Sequence, residues 1–310
     1  MPFYTPLRYP GGKRRLAHPV ARLIETNHLV DVEYVEPYAG GASIALALLF
    51  NEYVSKIHIN DLSRPVFAFW SSVLDATEAL CQRVEATPVT AAEWKRQREI
   101  YLRSDDADLF DLGFATFFLN RTNRSGILSG RMIGGMNQTG RWKLDARFSK
   151  RELTRRIRKI GRYRTRIAVS QEDAASFIGS LSPVVGPNAL FFVDPPYIDA
   201  GENLYLNDYS LDDHRQLERQ IAELDNHWIV TYDYDAAARH RLHHDRTRVS
   251  FALSYSAQHR RLGREAMFLS DSLRLPPEWQ DAAEVSIGPP GSKYPVMARV
   301  EAIGPFCRDS

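Results

Sequence analysis

The segment Leu190-Phe191-Phe192-Val193-Asp194-Pro195-Pro196-Tyr197 constrains this chain more than any other. Its first four residues form a continuous apolar run, the pattern of a strand buried on both faces of a sheet. Two consecutive prolines then fix φ twice and remove two backbone donors, so the ladder has to stop there. What remains is a rigid corner at a strand's carboxyl end, carrying Asp194, the Pro195 carbonyl and the Tyr197 ring. Ligands of open α/β sheets bind at that edge. A strand that merely ends in a turn fits the same residues, so the corner takes its meaning from the rest of the chain.

Upstream, Pro10-Gly11-Gly12 lets the backbone approach a ligand closely, with Lys13 at a helix start. The glycine spacing and the residue after Lys13 exclude a phosphate-binding P-loop. A helix is expected over residues 14–27, with Leu16, Val20, Leu23 and Ile24 on one face. A short strand near residues 34–37 leads into Tyr38-Ala39-Gly40-Gly41-Ala42-Ser43 and a helix from about Ile44. Strand, glycine turn and helix form a nucleotide-binding arrangement, in which Glu36 accepts hydrogen bonds at the strand's end and Gly40 lets a ligand reach backbone amides. The next strand, residues 56–61, ends in Asp61 about 20 residues beyond the glycines, where an acid binds ribose hydroxyls in dinucleotide folds. A helix cap ahead of Ser63-Arg64-Pro65 is the other reading of Asp61.

The alternation then breaks off. From Pro65 to about Arg164 the pattern is helices and loops. Strands resume at residues 166–170, 189–193 and 227–232, with an amphipathic helix at about 211–224, and close with two more near 249–255 and 265–270. The expected fold is therefore α/β and Rossmann-like: a mixed sheet of seven strands, the last two a hairpin. Residues 1–64 and 165–310 would form the main domain and 65–164 a helical insertion.

Net charge is only +2, but 12 Lys or Arg between Arg141 and Arg166 face only Asp145 and Glu152. An imbalance that one-sided points to nucleic acid rather than to a helix face laced by salt bridges. The loop 120–126 is rich in side-chain donors, and 130–142 carries glycines, amides, arginines and Trp142, residue types that hold phosphates and read base edges. No apolar stretch is long enough for a bilayer, the first residues lack a signal core, and Cys81 and Cys307 have no metal-ligand spacing. A cytoplasmic protein without membrane contact or metal site is expected.

Tyr9-Pro10-Gly11-Gly12-Lys13, Glu36 through Ser43, Asn60-Asp61, Asn120-Arg121 through Gly126, and Asp194-Pro195-Pro196-Tyr197 together resemble adenine-N6 DNA methyltransferases of the Dam type. The resemblance spans nearly the whole chain. It implies an enzyme with a class I methyltransferase fold and an antiparallel last strand, S-adenosylmethionine as cofactor, double-stranded DNA as partner and, with it, nucleoid association in a bacterium or phage-infected cell. It also implies roles: Tyr9 against the cofactor, Lys13 on its methionine carboxylate, Asp61 on its ribose, Asp173 near its adenine, and Asp194 between cofactor and target base. Asp194 and the Pro195 carbonyl would accept the adenine amino hydrogens, Pro196 would stiffen the corner and Tyr197 would stack on a flipped base.

The tetrapeptide also resembles enzymes acting on cytosine N4 or on RNA, and a catalytically silent nucleic-acid binder on this fold is a rival of another class. Thr122, Asn123 and Arg124 stand where GATC-reading relatives have an aromatic-rich loop, so the reaction carries over and that recognition sequence does not. Arg8, Arg121, Asn123, Arg124 and Arg131 are the candidate DNA contacts, with the basic loop Gln258-His259-Arg260-Arg261. A monomer or weak dimer is expected, and a restriction endonuclease partner is left open.

Overall fold

Hydrophobic alternation along the strands assigns each residue to one of two helix layers, and that sorting builds the molecule. A computed structural model describes residues 3–8, 13–196, 209–256, 260–280, 285–286 and 297–301. Its strands are β1 (Glu33–Glu36), β2 (Lys56–Asn60), β3 (Ile167–Ser170), β4 (Leu190–Val193), β5 (His227–Asp233), β6 (Thr247–Ser256), β7 (Arg260–Leu269), β8 (Val285–Ser286) and β9 (Met297–Glu301). They form one sheet in the order β3-β2-β1-β4-β5-β7-β6-β9-β8. The first five pair in parallel, while β7 runs antiparallel to both β5 and β6. All seven expected strands are present with the antiparallel last one, and the short β8 and β9 extend the β6 edge.

The helices are α1 (Ala17–Thr26), α2 (Ser43–Phe50), α3 (Arg64–Asp75), α4 (Thr77–Ala86), α5 (Ala91–Leu102), α6 (Leu109–Thr122), α7 (Lys150–Arg162), α8 (Ala174–Leu181), α9 (Leu211–Ala222) and α10 (Tyr234–His240). Leu190, Phe192 and Ile229 join a hydrophobic cluster with α1, α2 and the helical region. Their neighbours Phe191, Val193, Trp228 and Val230 join a second cluster with α8, α9 and α10. Successive residues thus enter opposite cores, which is why β4 reads as an unbroken apolar run.

The helical region between β2 and β3 is built into the first core. Val66, Phe69, Trp70 and Val73 of α3, Phe114 and Phe117 of α6 and Leu153 and Ile157 of α7 belong to the same cluster as the sheet. Gly113 permits this packing: a Cβ there would lie 2.4 Å from the Ala68 carbonyl oxygen, too close for any side chain. The outer face of α7 departs from the sequence expectation. Arg155 and Arg156 bond Glu152, and Arg158 bonds Glu78 and Glu85, so part of the cationic run is laced after all. Two of those acids come from α4, which lies outside the segment whose charges were counted. No helix among the described residues is long and apolar enough to cross a membrane.

Strand order reverses at β1, whose successors β2 and β3 lie on one side and β4 on the other. The crevice at such a switch point opens beyond the carboxyl ends of the strands, between Glu36 and Asp194.

Candidate active site

Asp194 immediately follows β4 and keeps 28% of its side chain exposed. Its Oδ1 accepts two hydrogen bonds, each 2.7 Å long, from Lys13 Nζ and from the Thr231 hydroxyl of β5. Lys13 Nζ also lies 3.4 Å from Thr231 Oγ1 and 3.1 Å from Glu265 Oε2. Both Lys13 and Glu265 are buried. An ammonium out of water needs anionic partners, and here it has two. Beyond the cofactor contact expected of it, Lys13 therefore holds two of the chain's own carboxylates, one of them the expected acceptor. Pro195 is buried and Pro196 half-buried, which fixes the corner. Tyr9 and Tyr197 lie outside the described residues, as do Pro10 to Gly12.

The glycine turn is held from three sides. Ala39 N–H donates to the Asn60 carbonyl at 2.9 Å, Gly40 N–H to Asp61 Oδ2 at 2.9 Å, and the Trp70 indole to the Gly40 carbonyl at 2.9 Å. Gly40 and Ala42 both have left-handed backbones, with φ 46° and 45°. Ala42 bears the strain of that conformation without glycine's freedom. Glu36, buried at the end of β1, accepts the Ala45 N–H of α2 at 3.0 Å and the Tyr34 hydroxyl at 3.1 Å, both on Oε1. Burial pushes its carboxyl up to about 8, with the Asp194 charge adding to the shift and the two hydrogen bonds opposing it.

Asp61 serves the turn on both oxygens, since its Oδ1 accepts the Ser63 N–H at 3.0 Å. The Asx bond ahead of α3 matches its helix-entry reading, while the Gly40 bond ties it to the glycine turn. Burial pushes its carboxyl up to about 6. Asp173 is exposed and caps α8, its Oδ1 accepting from Ala175 and Ser176 N–H. Asn60 escaped notice as a side chain. It donates to the Pro37 and Glu172 carbonyls and accepts from the Ser170 hydroxyl and Glu172 N–H, and so it locks the ends of β1, β2 and β3 together.

The candidate DNA contacts divide into two groups. Arg124 and Arg131 are exposed and Arg8 is half-buried, and none of the three has a carboxylate partner among the described residues. The loop carrying the first two is anchored: Arg124 N–H donates to the Arg131 carbonyl at 2.9 Å, and Asn120 Nδ2 donates to both the Arg8 and Gly126 carbonyls. Asn120 Oδ1 accepts the Arg8 N–H at 2.7 Å, so one amide clamps the N-terminal segment to the loop. Gly126, at φ 79°, has no room for a Cβ, which would fall 2.2 Å from the Arg8 carbonyl oxygen.

Asn123 is a correction. It is fully buried, both of its amide hydrogens go to the Ile127 and Leu128 carbonyls, and its oxygen accepts from Trp94. It shapes the loop and has no donor left to read a base. Arg121 is largely buried, with Nε on the Arg147 carbonyl. Burial and the neighbouring Arg8, Arg156 and Arg147 disfavour its charge, so it sits in a concentrated positive field. Gln258 and His259 lie outside the described residues, and only the backbone of Arg260 and Arg261 is described.

Sequence reasoning missed Thr231, Glu265, Arg147 and Arg156. The one usable signal was Glu265 itself, an acid directly before the apolar run Ala266-Met267-Phe268-Leu269.

No curated protein matches the chain. Among solved structures, the rRNA methyltransferase aviRa from Streptomyces viridochromogenes is similar at 13% identity, with 82% of this chain and 84% of that one covered and a TM-score of 0.33. Protein LPL1258 from Legionella pneumophila is similar at 12% identity, 83% and 85% coverage and a TM-score of 0.31. The corner at Asp194, the glycine turn opposite it and the strand order around them lie within residues 9–249, which match the model for D12 class N6 adenine-specific DNA methyltransferases, and the chain belongs to that family.

Proposed function

We propose that this adenine-specific DNA methyltransferase transfers the methyl group of S-adenosylmethionine to N6 of an adenine flipped out of duplex DNA. The observation that carries the reading is Asp194, held on one oxygen by Lys13 and Thr231 at the switch-point edge, with Pro195 rigidly beside it. When bound, the cofactor supplies a methyl group on a positively charged sulfur. The residues present suit such a ligand. Glu36, Asp61 and Asp173 join Asp194 as acidic side chains at one sheet edge, able to face a sulfonium, an ammonium and ribose hydroxyls, and Lys13, already bonded to Asp194 and Glu265, is the cation assigned to the cofactor's carboxylate. Gly40 in its left-handed turn and Tyr9 on the N-terminal segment complete the residues assigned to the cofactor.

Asp194 and the Pro195 carbonyl do the chemistry of orientation. An adenine amino nitrogen is a poor nucleophile because its lone pair is delocalised into the ring. Two acceptors on its two N–H bonds let the nitrogen pyramidalise and direct that lone pair outward. Pro196 keeps the acceptors from relaxing, and Tyr197 is assigned to stack on the base. A stacked, paired adenine cannot present its amino group this way, which is the reason for flipping. Residues 65–164 are assigned as the target-recognition region, with Arg8, Arg121, Arg124 and Arg131 on the phosphates and base edges.

The test is expression in a host lacking DNA methylation, followed by single-molecule sequencing for modified bases. Methylated adenine at one short recurring sequence is the expected outcome. An unmodified genome, or methyl groups on cytosine, would count against the proposal.

A further inference from the structure

We propose that Glu265, on the antiparallel strand β7, is a positioning residue for methyl transfer: through Lys13 it fixes which oxygen of Asp194 meets the adenine amino group, and it adds a fixed negative charge near the reacting nitrogen. The proposal rests on the reading of Asp194 as the amino-group acceptor. Lys13 Nζ lies 2.7 Å from Asp194 Oδ1 and 3.1 Å from Glu265 Oε2, and the Thr231 hydroxyl donates to the same Oδ1 at 2.7 Å. Oδ1 is therefore engaged twice, and among the described residues no hydrogen bond reaches Oδ2. That oxygen is the one presented to the base.

The ammonium is held in place because its second anchor is built into the sheet. Glu265 pairs in register with Asp233 of β5, two residues beyond Thr231 on the same strand. Charge reinforces the geometry. Glu265 adds one negative charge to the Lys13–Asp194 pair. As the new N–C bond forms and the S–C electron pair goes to sulfur, positive charge appears on the amino nitrogen until it sheds a proton. A fixed negative charge nearby lowers the energy of that state and not of the bound adenine. Glu265 touches neither reactant and acts through Lys13.

The test is steady-state kinetics of Glu265→Gln and Glu265→Asp beside the wild type, on duplex DNA carrying the target site. Glu265→Gln preserves shape and an acceptor for Lys13 but removes the charge. We expect kcat to fall about 10- to 100-fold with KM for DNA and cofactor within about threefold, on the scale set by single preorganised electrostatic groups. Glu265→Asp, which retains the charge, should recover much of that loss. Should Glu265→Gln fail to fold, Thr231→Val removes the second donor to Oδ1 and should lower kcat in the same way. Unchanged kcat in Glu265→Gln, or in Thr231→Val where that variant stands in, overturns the proposal, as does an Asp variant no better than Gln. A wild type that methylates no adenine overturns the functional reading and this one with it, whereas an active wild type beside an unimpaired Glu265→Gln overturns this one alone.

Discussion

At the carboxyl edge of the sheet, the carboxylates assigned to the chemistry are already held by the chain: Glu36 and Asp61 by backbone N–H groups, Asp194 by Lys13 and Thr231. Along the loop after α6 the arrangement is reversed. There the backbone is clamped by Asn120 and Asn123, while the charged side chains of Arg124 and Arg131 stand exposed without carboxylate partners among the described residues. Charge that must act at one geometry is fixed in advance, because reorganisation during the reaction would cost rate. On the proposed reading, the charge assigned to a polyanion has no carboxylate partner among the described residues, and phosphates would take that place on an anchored loop.

Six substitutions would break or sharpen that contrast. Asp194→Ala should have the largest effect, lowering kcat on the order of a thousandfold or more while cofactor or DNA binding partly survives in equilibrium titrations. Lys13→Met would leave two buried carboxylates without their shared cation and should cost about 3–5 kcal/mol of stability, read in denaturant melts. Asn120→Ala removes the clamp between Arg8 and the loop. It should cost about 1–3 kcal/mol and weaken DNA binding, although the residue itself is buried. Arg124→Ala and Arg131→Ala should leave the melt unchanged but each reduce the salt dependence of DNA binding by about one counterion.

The smallest effect belongs to Glu36→Gln and is visible only as a function of pH. The folded-state carboxyl of Glu36 is raised from 4.5 to about 8, so between those values the native state holds a proton that the unfolded state has released. Its contribution to stability is therefore full below about 4.5 and is lost as pH rises towards 8. The amide keeps the oxygen that accepts from Ala45 and Tyr34 and cannot ionise. The melting temperature of Glu36→Gln should match the wild type at pH 5 and exceed it by a few degrees at pH 8.

The sheet was legible in the sequence because its strands are short apolar runs punctuated by turn residues, with Asp194-Pro195-Pro196 the plainest stop among them. The β8 and β9 extension was not, since β8 is two residues long and β9, Met297-Ala298-Arg299-Val300-Glu301, has no continuous apolar run. Within the site, residues adjacent in sequence were readable and their partners were not. Lys13 was recognisable as a functional cation, but its anchor lies on β7, 252 positions away, and only the pairing of β5 with β7 brings them together. Asn123 shows the opposite limit. A loop amide has the chemistry to read a base, and only its burial against Trp94 and the Ile127 and Leu128 carbonyls reveals that this capacity is used internally. The charge run of α7 failed for a related reason, since acids on α4 answer it from across a helix interface.

Asp194 is proposed as the acceptor for an adenine amino group in DNA, and nucleoside mass spectrometry tests that role most directly. Purified wild type and Asp194→Ala would be incubated with unmethylated duplex DNA, and separately with RNA, in the presence of isotopically labelled S-adenosylmethionine. Labelled N6-methyladenine from duplex DNA with the wild type, and its loss in the variant, is the result expected. Label on cytosine, label in RNA alone, or equal yields of N6-methyladenine from the two proteins would contradict it.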